Sequence, residues 1–201
     1  MSAVPIRDRR AERREATRAE ILEAAQALMR EHGVAGLSLR DVAQKVGMRP
    51  QSLYSYFDSK DAIYDALFAD GYRRFLELRK AIPRTSDPRA DFRAVCRTFF
   101  DFCLEDPARY QLLFQRTIPN FEPSPEAYAP SVEGLEITRQ LLAEAGGTEP
   151  RDLDLYTGLM TGLIDQQISN DPGGDRWSRL LEEALDMLFA HFDARKKGTR
   201  R

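Results

Sequence analysis

The segment from Ser38 to Lys60 constrains the fold more than any other part of the chain, because it predicts two short helices joined by a tight turn. Its first half has apolar residues at helical spacing and ends at Gly47, a residue type that readily adopts the left-handed backbone conformation. Ser38 and Asp41 have the spacing of a capping pair, which predicts where the first helix begins. Pro50 suits the first turn of the second helix, since proline has no N–H group to leave unpaired there.

The second helix of this segment has one apolar face and one polar face. Leu53 and Phe57 are four residues apart and are expected to point inward, whereas its other side chains are polar or carry a polar tip. Arginine and glutamine can bond base edges in the major groove, and serine and tyrosine more often bond phosphates. We therefore predict a DNA-binding helix-turn-helix, with an αα-hairpin whose polar face is solvated as the alternative. The predicted DNA contacts are Arg49, Gln51, Ser52 and Ser55 on base edges, and Ser38, Tyr54, Tyr56 and Lys60 on phosphates.

A resemblance to a known family covers about a quarter of the chain, from Thr17 to Ile63. This stretch resembles the DNA-binding domain of the tetracycline-repressor (TetR) family of bacterial regulators. The resemblance rests on Ile21-Leu22, Ala24-Ala25, the Gly33 break, Ser38 before Arg40-Asp41-Val42-Ala43, Gly47, and Leu53-Tyr54-x-Tyr56-Phe57-x-x-Lys60. It implies a dimeric, all-helical repressor whose variable C-terminal domain usually binds a small molecule. Arg49 and Gln51 lie at positions that vary within the family, so the resemblance does not give the operator sequence.

Lys60 is expected in the first turn of a helix capped by Ser59. A lysine is misplaced there for the helix dipole, which favours anions at the helix N-terminus. A nearby phosphate would resolve this conflict, and the family resemblance likewise implies a backbone-phosphate contact at this position. We therefore predict a phosphate contact for Lys60.

The hydrophobic pattern predicts an all-α protein, with an N-terminal three-helix helix-turn-helix domain and a C-terminal helical bundle for ligand binding and dimerisation. Residues 1–60 carry 11 lysines and arginines against 8 aspartates and glutamates, whereas the rest of the chain is net acidic. This asymmetry is expected if only one end meets phosphate. The predicted divisions are a basic flexible arm (1–15), the DNA-binding domain (16–62), the effector-binding and dimerisation domain (63–195) and a basic tail (196–201).

Aromatic, cysteine and leucine side chains are concentrated in the first part of the C-terminal domain. Each of them alone is explained by a packed core, but together they predict the lining of a mostly apolar cavity for a small-molecule effector. A filled core would use the same residues, so a helix-turn-helix regulator without a ligand, controlled by a partner or by its abundance, is the alternative. The residues predicted to line the cavity are Phe99, Phe100, Cys103, Tyr110, Leu113, Phe114 and Met160.

The last two predicted helices carry the features expected of a homodimer interface. Gly158 and Gly162 are four residues apart, and glycine inside a helix is costly unless another backbone approaches closely. A helix-turn-helix protein usually reads two half-sites of an operator, which also calls for a dimer. Packing within one subunit is the alternative. The predicted interface residues are Leu155, Gly158, Leu159, Gly162, Leu163, Trp177, Leu181 and Leu188.

Other classes of protein fit the sequence poorly. No run of about 18 apolar residues predicts a membrane span, and the charged N-terminus does not match a secretory signal, so we expect a cytoplasmic location with no membrane partner. No catalytic constellation, phosphate-cradling loop or zinc-ligand spacing predicts an enzyme, a cofactor or a metal site. Cys96 and Cys103 are seven residues apart on one predicted helix, about 10 Å along its axis, which is too far for a disulfide.

Overall fold

The computed structural model describes residues 9–198, and every regular element in that range is helical. An N-terminal helix-turn-helix domain is followed by a C-terminal helical domain, which confirms the predicted fold class. Single 3₁₀ turns lie at Val34–Gly36 and Ser178–Leu180. The helices are α1 (Arg9–His32), α2 (Leu39–Val46), α3 (Pro50–Leu53), α4 (Lys60–Lys80), α5 (Pro88–Glu105), α6 (Pro107–Phe114), α7 (Pro125–Glu144), α8 (Pro150–Asn170) and α9 (Leu181–Gly198).

Local chemistry sets the helix boundaries of the helix-turn-helix as the sequence predicts. The Ser38 hydroxyl accepts a hydrogen bond from the Asp41 backbone N–H and caps α2, and Ser59 caps α4 by accepting from Ala62 N–H at 3.1 Å. Gly47 ends α2 with a φ of 77°, in the left-handed region. The chain therefore leaves α2 and enters α3 within three residues.

The ends of the chain differ from the prediction. Helix α1 begins at Arg9, so residues 9–15 of the predicted flexible arm are helical, and residues 1–8 lie outside the described range. Arginine, glutamate and alanine dominate this stretch, and all three have high helix propensity. Residues 196–198 of the predicted tail continue α9, while 199–201 lie outside the described range. No helix in the described range combines the length and the apolar character needed to cross a bilayer.

Two hydrophobic cores organise the molecule. The head core joins the buried faces of α1 to α4 and centres on Ile21, Ala25 and Leu53, which are fully buried. The body core surrounds α5, whose Phe92 and Phe100 are also fully buried. Helix α6 takes part in both, because its residues 108 and 112 belong to the head core while residues 110 and 113 belong to the body core. Head and body are therefore packed through a shared helix.

A buried carboxylate adds a polar connection between the head and the body. Asp106 is 2% exposed and caps α6 by accepting from the Arg109 backbone N–H. It also accepts hydrogen bonds from α1, at 2.9 and 2.7 Å from Arg30 and at 2.8 Å from Gln26. Burial by itself would raise the pKa of Asp106, but the bonds from Arg30 and the Arg109 backbone outweigh it and lower that pKa below its ordinary value.

Candidate DNA-binding surface, cavity and interface

Helix α3 presents a polar face to solvent over an apolar base. Leu53 and Phe57 are buried in the head core. The helical turn continues past the end of α3, because Tyr56 N–H and Phe57 N–H both donate to the Leu53 carbonyl, at 2.9 and 3.0 Å. Tyr56 is half-buried. The predicted contact residues that are exposed on this segment are Arg49, Gln51, Ser52, Tyr54 and Ser55.

Two arginines of α1 bind the backbone at the end of this segment, a role that was not predicted for either of them. Arg14 donates to the Ser55 carbonyl at 2.7 Å, and Arg18 donates to the Tyr56 carbonyl at 2.6 Å. Their guanidinium groups also lie over aromatic rings, Arg14 over Tyr56 at 5.1 Å and Arg18 over Phe57 at 4.2 Å from the ring centroids. Their spacing of four residues, which aligns side chains on one helix face, was the available signal.

The two remaining predicted contact residues lie at helix N-termini. Lys60 is the first residue of α4, half-buried, with its ammonium 5.7 Å from the Tyr64 ring centroid. Among residues 9–198, no carboxylate lies within ion-pair distance of Lys60, although Asp61 is also in the first turn of α4. The Ser38 oxygen accepts the capping bond, which leaves its own O–H available to donate.

A partly open inner cavity of about 250 Å³ lies in the body and is lined by residues of α4, α5, α6, α7 and α8. Hydroxyl groups of α7 and α8 complete its wall, and none of its lining residues is charged. The wall hydroxyls of Thr157 and Thr161 donate to carbonyls of their own helix, so they leave lone pairs rather than protons for a ligand. Aromatic rings dominate the lining, contributed by Tyr72, Phe75, Phe99, Phe114, Tyr128 and Tyr156.

A second, outer cavity of about 440 Å³ adjoins the inner cavity. The two share Tyr72, Phe114 and Tyr128 in their linings. The outer cavity has a more polar wall, which includes Gln115 and Arg116 from the loop that follows α6. The two cavities thus meet at three aromatic side chains, and the outer one has the more polar wall.

The cavity prediction is partly corrected by the structure. Phe99, Phe114 and Met160 line the inner cavity, and Leu113 lines the outer one. The prediction is wrong for three residues that are packed in the body core and line neither cavity, namely Phe100, Cys103 and Tyr110. Helix α5 is apolar on more than one face, so its sequence pattern did not indicate which face borders the cavity. Both cysteines are buried free thiols, as the sequence predicts.

Helix α8 carries an exposed notch on the face that was predicted to meet a second subunit. Gly158 and Gly162 are exposed, and a Cβ atom added to either would meet nothing within 4 Å. Leu155 beside them is 46% exposed, and a groove of about 710 Å³ runs along this face to His191 of α9. Leu159 and Leu163 are half-buried. The glycines are therefore not explained by packing within the described chain.

The prediction for the last helix requires correction. Leu181 is fully buried and Leu188 is 7% exposed, because both pack into the core of their own subunit. Trp177 precedes α9 and stands half-buried before the 3₁₀ turn. Met187, which is not among the predicted interface residues, is 66% exposed on α9. The outward face of α9 is thus a different one from the face predicted.

Comparisons with known proteins agree with this geometry over most of the chain. The family model for bacterial regulatory proteins of the tetR family matches residues 21–67, and the model for the tetracyclin repressor-like C-terminal domain matches residues 92–188. The HTH-type transcriptional regulator Rv1816 of Mycobacterium tuberculosis (strain ATCC 25618 / H37Rv) is 30% identical over 127 residues, which are 60% of this chain and 53% of that protein. The chain thus spans about half the length of the curated relatives it matches.

Solved structures show the same fold. The putative regulatory protein SCO4313 superposes with a TM-score of 0.74 at 22% identity, over 89% of this chain and 97% of that chain. RolR, whose structure is a complex with the ligand resorcinol, superposes with a TM-score of 0.59 at 20% identity, over 88% of this chain and 89% of that chain. Similarity at these identities is evidence for a shared fold alone.

Proposed function

Since the chain belongs to the TetR family and is a helix-turn-helix transcriptional regulator, we propose that it is a homodimeric repressor, released from a palindromic DNA operator by a small-molecule effector bound in its C-terminal domain. The observation that carries this proposal is the polar face of α3, exposed above buried Leu53 and Phe57 and tied to α1 by Arg14 and Arg18. Its place of action would be the cytoplasm, where a bacterial operator lies, and the proposal includes no catalytic step.

The proposed base contacts come from the exposed side of α3 and the turn that follows it. Arginine and glutamine there can form paired hydrogen bonds with base edges, and the serines can bond either bases or phosphates. The fixed backbone supports this role, because a side chain discriminates bases only if its helix cannot shift. The residues proposed to contact bases are Arg49, Gln51, Ser52 and Ser55.

The proposed phosphate contacts surround that helix along the chain. Lys60 supports this role most strongly, because its ammonium has no carboxylate partner among the described residues and lies beside the free N–H groups of the α4 N-terminus. A phosphate at that point would be bound by the amide dipoles and the ammonium together. The residues proposed to contact phosphates are Ser38, Tyr54, Tyr56 and Lys60.

The proposed dimer forms along α8. An exposed Gly158–Gly162 notch supports a close approach of another backbone, and exposed Leu155 supplies apolar surface beside it. In a two-fold dimer the same patch of each subunit meets its copy, so each glycine notch would meet the partner's α8. Two helix-turn-helix domains would then be presented to two half-sites.

The proposed effector site is the inner cavity, because α4 connects it physically to the DNA-binding surface. Helix α4 begins at Lys60 and carries Tyr72 and Phe75 of the cavity wall further along. It packs most extensively against α7, which also lines the cavity. A ligand that favours a different separation of α4 and α7 shifts the population of the DNA-binding conformation by its differential affinity. RolR, which shares this fold, was solved in complex with the ligand resorcinol, and this supports small-molecule binding by the fold.

Because the inner cavity is small, a regulator that binds no small molecule is the second candidate function. The inner cavity of about 250 Å³ is smaller than the roughly 300 Å³ typical of small-molecule sites, whereas the inner and outer cavities together exceed it. A screen for small molecules that release the protein from selected DNA separates the two candidates. Release by a compound that also binds the isolated protein supports the effector, and operator binding that no compound changes supports control by a partner or by abundance.

Selection of bound DNA from a random pool tests the DNA-binding proposal. Gln51→Ala should reduce discrimination at one base position of each half-site. Lys60→Ala should weaken binding to all sequences and lower the slope of log K against log salt by about 0.9 for each lysine, or about 2 per dimer. Lys80→Ala is the matched control, because it removes the same charge from the opposite end of α4. Normal binding by both Gln51→Ala and Lys60→Ala would refute the assigned contacts.

A further inference from the structure

Arg79, near the end of α4, is a buried cation without an anionic partner. It is 7% exposed, and its Nη1 donates to the Gly134 carbonyl at 2.9 Å and to the Thr138 hydroxyl at 3.1 Å. Its Nη2 is buried and has no hydrogen-bond partner. Within the described range, no carboxylate lies at ion-pair distance from this guanidinium.

Every other buried charge in the described part of the chain is paired. Asp106 is bound by Arg30, Arg109 by Glu105, and Asp152 by Arg195, while Asp91 lies 3.2 Å from Arg84. A buried unpaired charge is costly, and proteins keep one where it has a use. Burial lowers the pKa of Arg79 because the charged form has lost its hydration, although arginine remains protonated at neutral pH. The exception therefore calls for a functional explanation.

Arg79 is hydrogen-bonded to the wall of the inner cavity from behind and does not itself line the cavity. Both hydrogen-bond acceptors, Gly134 and Thr138, line that cavity, as does Phe75, whose ring centroid is 5.6 Å from the guanidinium carbon. The lining itself carries no charge. A cavity lined by six aromatic rings can bind an organic cation, but the positive charge of Arg79 behind the α7 wall repels a cation from this cavity. The field in the cavity thus favours a ligand that is apolar and negatively charged.

We propose that the effector is an apolar carboxylic acid whose carboxylate is bound by Arg79 and whose hydrocarbon body fills the aromatic part of the inner cavity. This inference rests on the proposed function, because it names the chemical class of the effector. The guanidinium turns towards the cavity so that its unpartnered Nη2 donates to the carboxylate, and this turn competes with the Nη1 bonds to Gly134 and Thr138. Those two bonds join α4 to α7, so an anion that draws Arg79 away from α7 loosens the pair of helices that connects the cavity to Lys60.

The positions of Tyr128 and Thr138 along α7 predict how the effector is oriented in the inner cavity. Tyr128 borders both cavities, and Thr138 lies ten residues further along α7, about 15 Å away along the helix axis. Arg79 is therefore at the end of the inner cavity that lies away from the outer one. The carboxylate goes to that end, and the apolar body extends past Phe99 towards Phe114.

Calorimetric titration with matched probes tests the proposal. The aromatic pair is 2-naphthoate and 2-naphthamide, and the aliphatic pair is octanoate and octanamide, so that the members of each pair share one hydrocarbon body and differ in the head group, a charged carboxylate or a neutral amide of similar size. At pH 7 at least one carboxylate should bind the wild-type protein about ten- to hundredfold more tightly than its amide, as expected for a hydrogen bond between charged groups. The pair with the larger ratio distinguishes an aromatic from an aliphatic effector, and 2-naphthylmethylammonium should bind more weakly than either aromatic probe.

Two variants assign the preference to Arg79. Arg79→Gln retains a donor for the α7 wall and removes the charge, so the acid-to-amide ratio should fall to about one while amide affinity changes by less than about threefold. Arg73→Gln removes an exposed guanidinium from the same helix and should leave the ratio unchanged. If Arg79→Gln does not fold, the acid-to-amide affinity ratio of the wild-type protein still tests whether the cavity prefers a carboxylate.

Equal binding of acid and amide to the wild-type protein would overturn the inference, and so would an acid preference that survives in Arg79→Gln. Binding of none of the probes would overturn it as well. These results are distinguishable from failure of the proposed function, which is measured by selection of operator DNA without any ligand. If the protein selects an operator and is released from it by an uncharged compound, the proposed function stands and the inference of a carboxylic acid effector is refuted.

Discussion

Replacement of Asp106 should measure how strongly the head is joined to the body. The carboxylate has two roles, since it caps α6 and accepts hydrogen bonds from Arg30 and Gln26 of α1. Asp106→Asn separates these roles, because asparagine is also a good helix cap but carries no charge. Asp106→Ala removes both, and Asp101→Asn, at an exposed position of α5, is the matched control.

The expected magnitudes follow from the geometry. A hydrogen bond to a charged group contributes about 1.5–3 kcal/mol when it is desolvated. The Arg30 side chain is 51% exposed, so water screens this partner, and we expect Asp106→Asn to lower the free energy of unfolding by about 1–2 kcal/mol. Loss of the α6 cap adds about 1 kcal/mol, which gives about 2–3 kcal/mol for Asp106→Ala.

Urea titration followed by circular dichroism provides the measurement, with Arg30→Gln added to complete a double-mutant cycle. A coupling energy near zero between Arg30 and Asp106 would refute the assigned ion pair, and equal losses for the asparagine and alanine variants would refute the cap. Because the folded-state pKa of Asp106 is lowered, its contribution is present above the unfolded value near 4 and is lost as pH falls through the folded value. Asp106→Asn should therefore flatten the acid limb of the stability curve.

Three further predictions concern the turn, the interface and a second buried carboxylate. Gly47→Ala places a side chain at a φ of 77° and should cost about 1 kcal/mol in urea unfolding, whereas Gly36→Ala, without a positive φ, should not; equal effects would contradict this. Gly162→Leu should shift sedimentation equilibrium from dimer to monomer with helicity retained, and a persistent dimer would exclude the notch from the interface. The hydrogen bonds from Arg195 lower the pKa of Asp152, so its stabilisation is lost as pH falls below about 4, and Asp152→Asn should reduce that acid sensitivity in thermal melts.

The head was predictable from sequence because its determinants are local. The caps at Ser38 and Ser59 and the left-handed turn at Gly47 each depend on residues within four positions of one another, and all three form as predicted. The contacts of Arg14 and Arg18 were not predictable in the same way. They reach carbonyls about forty residues away, and nothing in the sequence indicates which way α1 crosses α3.

The cavity was only partly predictable because its walls come from five helices distant in sequence. Composition indicated where aromatic residues are concentrated, but Phe99 borders the cavity while its neighbour Phe100 is packed in the core. Nothing in the sequence indicated that Arg79 is buried beside the cavity. An arginine beside apolar residues usually extends its charged end to water, and only the packing of α4 against α7 buries this one.

The membership of α6 in both hydrophobic cores would restrict how the specificity of the proposed effector site can diverge. Leu112 belongs to the head core, and its neighbour Leu113 belongs to the body core and also lines the outer cavity. A substitution that reshapes the cavity from α6 therefore also disturbs the packing beneath the DNA-binding helices. Thr157 and Thr161 of α8 line the inner cavity and are outside the head core. Changes in the proposed effector specificity are thus expected at Thr157 and Thr161 rather than on α6, because substitutions at these two threonines leave the packing of the head core intact.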